Sequence, residues 1–344
     1  MLLCLLVMTL VMYNCGKKDE PLPDKPDQGK VDDLNKIEIE PVNVVDPAPV
    51  VVTDGSLETS ALTTELLSAL GGIEEGGVIP AAVTNASAAV AAALSEADLT
   101  ALGLLDDAMF ETIKNGGAIP AAVQAVIDKA AAHPALQAYM PKLTLPTVDG
   151  VTITGRRAAT TDIATDAHAG DAIEAIQEAS DACIEEANRL FNEKQRSLNE
   201  TKALNDAKAT SAYNKVISEL PSTAPCLANV DAMVAQRNRV TEANRAASYA
   251  SLDKVRAAMG EAMYKTLISL IDFTTAKTYQ ETINFERAER AKCATENDKK
   301  KENAATARDT NLANSQAAFD KALAAANVAK TAMIQSCHNQ GGGN

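Results

Sequence analysis

Covalent chemistry within this chain falls first to four cysteines, Cys183, Cys226, Cys293 and Cys337. They are even in number, widely spaced and free of any Cys-x-x-Cys pair. That pattern predicts disulfides of an oxidising compartment, not zinc or dithiol redox chemistry. The three histidines, His133, His168 and His338, stand far apart, and no His-Glu-x-x-His spacing supports a metal centre. Asp162, Asp166, His168 and Asp171 are close enough in sequence to gather round a cation, but they read more simply as the solvated entry to a helix. There is no Gly-x-Ser-x-Gly elbow and no Ser/His/Asp set. Acid pairs such as Glu185-Glu186 fall on exposed helix faces, whereas a glycosidase needs carboxylates across a ring-lined cleft. Aromatics are only 3% of the chain and Trp is absent. No catalytic site, metal site or cofactor is expected.

A different covalent chemistry is indicated at Cys15. An apolar run, Leu2 to Tyr13, precedes it, and Gly16-Lys17-Lys18-Asp19-Glu20 follows. The run is too short to cross a membrane, which takes roughly 20 residues, and suits the apolar region of a cleaved signal. Val11-Met12-Tyr13-Asn14-Cys15 resembles the lipobox of a bacterial lipoprotein. Lys17, Lys18, Asp19 and Glu20 resemble the Lys-plus-acids signal that sends Bacteroidetes-type lipoproteins to the outer face of the outer membrane. The resemblance is confined to these N-terminal residues. It implies that residues 1–14, Cys4 among them, leave as a signal peptide. It further implies that Cys15 carries acyl chains such as palmitate, held firmly in outer-membrane lipid when several are present.

The segments that carry these groups read as mostly helical. The formal net charge is −14, so an anionic surface makes nucleic acid an unexpected partner. Few rings and abundant alanine suit helices packed closely along their length. Residues 15–56 hold the lipidated cysteine and a tether that Pro21, Pro23, Pro26, Pro41, Pro47 and Pro49 stiffen and many acids solvate, so it is expected to stay extended with little buried. Val50 to Thr53 reads as one short strand.

Residues 57–142 contain a repeat at an offset of 40: Gly76-Gly77-Val78-Ile79-Pro80-Ala81-Ala82-Val83 recurs as Gly116-Gly117-Ala118-Ile119-Pro120-Ala121-Ala122-Val123. Ser60-Ala61-Leu62 matches Thr100-Ala101-Leu102, and Ile73 matches Ile113. Each copy reads as helix, Gly-Gly turn, helix, with glycine ending the first helix and proline opening the second. Ser95 with Asp98 forms a capping box for the helix between. The copies predict one duplicated helical-hairpin domain; no Lys-Ser/Thr follows either Gly-Gly pair, so neither is a phosphate loop. In residues 143–160, Leu143-Thr144-Leu145 and Val151 to Thr154 flank Asp149-Gly150, a type I′ turn pair, and predict a β-hairpin with Arg156-Arg157 in the junction beyond.

Residues 161–340 read as helix with few breaks, before a Gly-rich tail at 341–344. Asp171 with Glu174 caps the first helix, and Ile173, Ile176, Cys183, Ala187 and Leu190 mark its apolar face. Leu220 to Pro225 is the one strong turn. The first helix is expected to run antiparallel to the next, so Cys183 lies about 57 Å from that turn and cannot reach Cys226. Two connectivities remain. Cys226–Cys293 with Cys183–Cys337 places turns at Gly260 and near Asn297-Asp298, giving four helices at 171–219, 226–259, 261–296 and 299–338. Cys183–Cys293 with Cys226–Cys337 gives three longer helices with a turn near 275–284. The first is preferred. Met263 to Phe273 is the most apolar stretch and reads as bundle core.

The expected fold class is therefore mainly α: a small duplicated helical-hairpin domain, a long antiparallel bundle of four helices, alternatively three, and one short β-hairpin between. The expected function is non-enzymatic: a lipid-anchored cell-surface protein with a structural, adhesive or partner-binding role. Its partners would be outer-membrane lipid through acylated Cys15 and a second protein. A periplasm-facing spacer or assembly lipoprotein, and a membrane-active helical protein, are the alternatives.

Overall fold

The structure, a computed structural model, describes residues 25–74, 77–155 and 182–339. The fold is mainly α, with a few short antiparallel strands. The described chain divides into two compact units: one holds residues 25–48, 182–219 and 301–339, the other residues 49–155 and 220–300. These units cut across the sequence-drawn boundaries at 57–142 and 161–340.

The first unit is built on two long helices. α8 covers Ala182–Glu219. α10 covers Glu261–Asn339 and contributes its residues from 301 onward here. Cys183–Cys337, Cα atoms 5.8 Å apart, and Arg308 stacked 4.7 Å over the Tyr213 ring show that the two run antiparallel. Two alanine-rich helices leave an apolar seam, and a third element covers it: the segment expected to stay extended and unburied. Asp27 caps helix α1, Gln28–Asn35, by accepting from the Lys30 N–H. Leu34 and Ile39 then bury against Ala187, Phe191, Leu198, Phe319, Ala322, Ala326 and Met333. The tether expectation thus fails for residues 25–48, because Val31, Leu34, Ile37 and Ile39 form an apolar stripe among the solvating acids.

In the second unit, α9 (Ala224–Met259) and the N-terminal part of α10 form a tight antiparallel hairpin. Gly260 alone joins them, at φ +77°, a left-handed conformation that glycine adopts at little cost. Cys226–Cys293 staples the other end, Cα atoms 6.0 Å apart. Against this hairpin pack α2 (Ala61–Gly71), α3 (Ala81–Ala93), α4 (Glu96–Leu102), α5 (Asp107–Lys114), α6 (Ala121–Ala132) and α7 (Pro134–Gln137). One apolar core joins Leu66, Val83, Val90, Leu102, Ile113 and Ile127 to Leu252, Val255, Leu267, Leu270 and Phe273. The duplicated region is therefore not a separate domain. Too little apolar surface lies within its short helices, and the hairpin completes their core.

The repeat survives in α3 and α6, each opened by a proline, Pro80 or Pro120, at the cap itself and not inside the first turn. It is broken before them. α2 ends at Gly71, short of the Gly-Gly pair, whereas α5 ends directly at Asn115-Gly116-Gly117. There Gly116 (φ +77°) and Gly117 close a Schellman turn, with the Gly117 N–H on the Thr112 carbonyl at 2.8 Å. Thr100-Ala101-Leu102 belongs to α4, which the Ser95/Asp98 capping box opens.

The strands form two small sheets. β1 (Val52–Thr53) pairs with β4 (Thr147–Val148), which pairs with β5 (Val151–Thr152) across Asp149-Gly150, both at positive φ. The expected strand at Leu143 does not join that hairpin. β3 (Lys142–Thr144) pairs instead with β2 (Ser56–Glu58), because a two-residue turn sets Val148, not Leu145, beside Val151.

Among its described residues the long half has three helices, the alternative count, but they are divided at Gly260, where the four-helix reading placed its turn. No turn exists at Asn297-Asp298 or at 275–284; α10 runs unbroken. Its lapse of apolar residues is a run of helix-forming Glu and Lys, without Gly or Pro, and Glu296 pairs with Lys300 at 2.6 Å. The first helix was expected to lie against the second. Instead α8 and α9 each find their antiparallel partner on α10, within separate units.

Candidate functional site

The side chains singled out by the sequence do not converge. Cys15, Lys17, Lys18, Asp19 and Glu20 lie outside the described residues, as do Cys4, Arg156-Arg157, Asp162, Asp166, His168, Asp171 and Glu174. The four cysteines beyond them form the two pairs Cys183–Cys337 and Cys226–Cys293. His133 is used locally: its Nδ1 accepts from the Ala135 N–H at 3.3 Å and caps α7. Glu186 pairs with Arg189. Among the described residues no group of three or more His, Cys, Asp or Glu side chains is placed to hold a metal. No helix among them is long and apolar enough to cross a membrane, and Leu267, Leu270, Ile271 and Phe273 of the apolar stretch are core.

What the fold does create is a groove in the second unit, where α2 crosses the α9–α10 hairpin. Three cavities meet at Thr59 and Pro141, of about 80, 240 and 490 Å³. The first is the deepest-set. α9 lines it with Val240, Thr241, Asn244, Arg245 and Ser248, and α10 with Leu270, Ile271, Thr274, Thr275 and Thr278. Those spacings are helical and put each set on one face. Thr63 of α2 closes the roof, its hydroxyl donating to the Tyr139 carbonyl at 2.7 Å.

The chemistry of that lining is specific. Thr241, Ser248, Thr274 and Thr278 each donate a hydroxyl hydrogen to the carbonyl one turn back, at 2.8–2.9 Å. Their remaining capacity is to accept. Tyr139, Asn244 and Arg245 add polar groups to a wall otherwise made of these hydroxyls and of apolar side chains that include Leu66, Leu67, Leu270 and Ile271. The wall is suited to holding a ligand through hydroxyls and apolar contact.

Arg245 sits at the edge of this wall and organises it. Its guanidinium stacks 4.2 Å over Phe110 and 4.8 Å over Tyr249. Nη1 donates to Asp107 at 2.6 Å and Nε to Asp272 at 3.2 Å. Asp272 is 3% exposed, and Tyr249 donates its hydroxyl to the same carboxylate at 2.7 Å. Burial pushes Asp272 up to about 6, against the lowering effect of Tyr249 and Arg245. Burial opposes the charge on Arg245, but Asp107 and Asp272 outweigh it and hold the group above its ordinary range. The carboxylate is enclosed by its partners and acts as a brace.

α10 also ties down the strand segment that precedes Leu57. Glu289 accepts from the Gly55 N–H at 2.6 Å and pairs with Lys292, which reaches Asp54 at 2.5 Å. Any side chain at Gly55 would strike Glu289 and Pro146. Arg237 donates to the Leu57 carbonyl at 2.5 Å and stacks on Phe285. Sequence reading missed Arg245, Asp272 and the threonines. The usable signal was the turn at Gly260, which sets 245 within a helical turn of the residues facing it, 272–275.

The chain matches no protein-family model, no curated protein and no solved structure.

Proposed function

We propose that this is a non-enzymatic, lipid-anchored protein of the outer membrane, displayed at the cell surface, whose helical body is a structural or binding platform for another protein. The observation that carries the binding role is the groove that Arg245 helps to line, whose first cavity presents threonine and serine hydroxyls beside apolar side chains. The anchor rests on Cys15 after its apolar run, and the outward address on Lys17-Lys18-Asp19-Glu20. Two disulfides suit an oxidising compartment. The test is protease shaving of intact cells beside a Cys15→Ala variant. Removal of the protein from intact cells, with loss of membrane attachment in the variant, is the expected result. Protection until the outer membrane is broken overturns surface display and leaves a periplasm-facing spacer. Membrane attachment unchanged by Cys15→Ala overturns the anchor.

A further inference from the structure

We infer that the end of the first unit where α8 begins and α10 closes is held next to the lipid surface, and that the docked segment 25–48 sets this orientation. The inference rests on acylation of Cys15. Without docking, the chain from Cys15 to Ala48 is a leash reaching about 119 Å, at up to 3.6 Å per residue. Docking shortens it.

The docked segment runs antiparallel to α10 and is fixed along its length. The Asp27 N–H donates to Ser336 Oγ at 3.1 Å, beside Cys337. Lys194 reaches the Asn35 carbonyl at 2.9 Å and Lys321 pairs with Glu40 at 2.6 Å. Asn311, 5% exposed, accepts from the Val45 N–H at 2.7 Å and donates to the Val45 carbonyl at 3.0 Å. Asn303 then donates to the Ala48 carbonyl at 3.0 Å. An amide that satisfies both backbone groups of one residue grips extended chain whatever its side chain. Leu34 and Ile39 add buried contacts between these ties.

The first fixed point, Asp27, is twelve residues from Cys15. Whatever path they take, those residues cannot span more than about 43 Å. The Ser336 end of the unit is therefore confined near the lipid, while the far end of α8, about 55 Å along the helix, is not.

The test places a donor dye, through a noncanonical amino acid that leaves the four paired cysteines intact, at Gln335 or at Lys215. Both positions are exposed and lie in this unit. Lipidated protein is reconstituted in phosphatidylethanolamine–phosphatidylglycerol vesicles carrying an acceptor headgroup, and energy transfer is read beside vesicle flotation. Several-fold stronger transfer from Gln335 than from Lys215 is expected. Leu34→Asp with Asn311→Ala, checked for intact helices by circular dichroism, should lower transfer from Gln335 and shrink the difference. Equal transfer from both positions in floating protein, or a difference indifferent to releasing the segment, overturns the inference alone. Failure of the lipidated protein to float overturns the anchor, and this inference with it.

Discussion

At the scale of single residues, two carboxylates show how burial and pairing set opposite pH responses. Asp98 is held down at about 2 by Lys129 and by the Ser95 N–H it caps. Its contribution is present above the ordinary carboxylate value and fades as pH falls toward 2. Asp272 is pushed up to about 6 from 3.8, chiefly by burial. Between about pH 4 and 6 the folded protein keeps a proton that the unfolded chain has released, so this group makes stability fall as pH rises through that window. The slope is at most about 1.4 kcal/mol per pH unit. Denaturant titrations at pH 4, 5, 6 and 7 should show this fall in the wild type and a flatter profile in Asp272→Asn. A steeper profile in the variant would contradict the assignment. At Gly260 the backbone is left-handed with open space around the site. With ψ at 158° the residue lies in a region that is essentially glycine-only, so Gly260→Ala should cost about 1–3 kcal/mol through strain alone, read as a lower denaturation midpoint with an unchanged helical spectrum.

At the scale of elements, the segment 25–48 is the clearest case of local character losing to tertiary contact. Its prolines and acids favour an extended, solvated chain. Four apolar side chains in α1 and just after it nevertheless meet the apolar seam between α8 and α10. Leu34 is 1% exposed, and Leu34→Ala should cost about 2–5 kcal/mol locally. Limited proteolysis should then cut between 25 and 48 first, with α8 and α10 still helical; unchanged cleavage kinetics would show that the segment is not held as described. α10 is the converse case. A polar stretch at 294–303 reads as an interruption by periodicity, yet it holds no Gly or Pro, its Glu and Lys residues are good helix formers that outweigh Asn297 and Asp298, and the helix continues. Periodicity reports which face is buried. Only Gly, Pro and capping residues report where a helix stops.

At the scale of the molecule, each compact unit carries its own disulfide and its own core. Replacing Cys226 and Cys293 together by Ser should destabilise the unit containing the groove by about 2–4 kcal/mol. Hydrogen exchange should quicken in peptides of 224–259 and stay nearly unchanged in 182–219. The reverse is expected for Cys183 with Cys337. Gly260 lies midway, to within a residue, between the members of both pairs. That shared midpoint was legible in the sequence and argues for a single turn serving both pairs. With α8 and α9 each lying on α10, both pairs close about the one turn and none is needed at 297–298.

The sequence by itself determined what local chemistry controls: the helical class, the breaks at 220–225 and Gly260, the Ser95/Asp98 cap and the Asp149-Gly150 turn. Each depends on a few neighbouring residues and on backbone preferences that hold in any context. Only the tertiary structure decided which helix lies on which, that residues 25–48 are a packed element, and that the repeated helices share a core with the long hairpin. It also brought Arg245, Tyr249, Asp107 and Asp272 into one brace beside a threonine-lined groove. Those outcomes depend on apolar area and buried charge that become complementary only when distant segments meet, and no window of neighbouring residues contains both sides of such a contact.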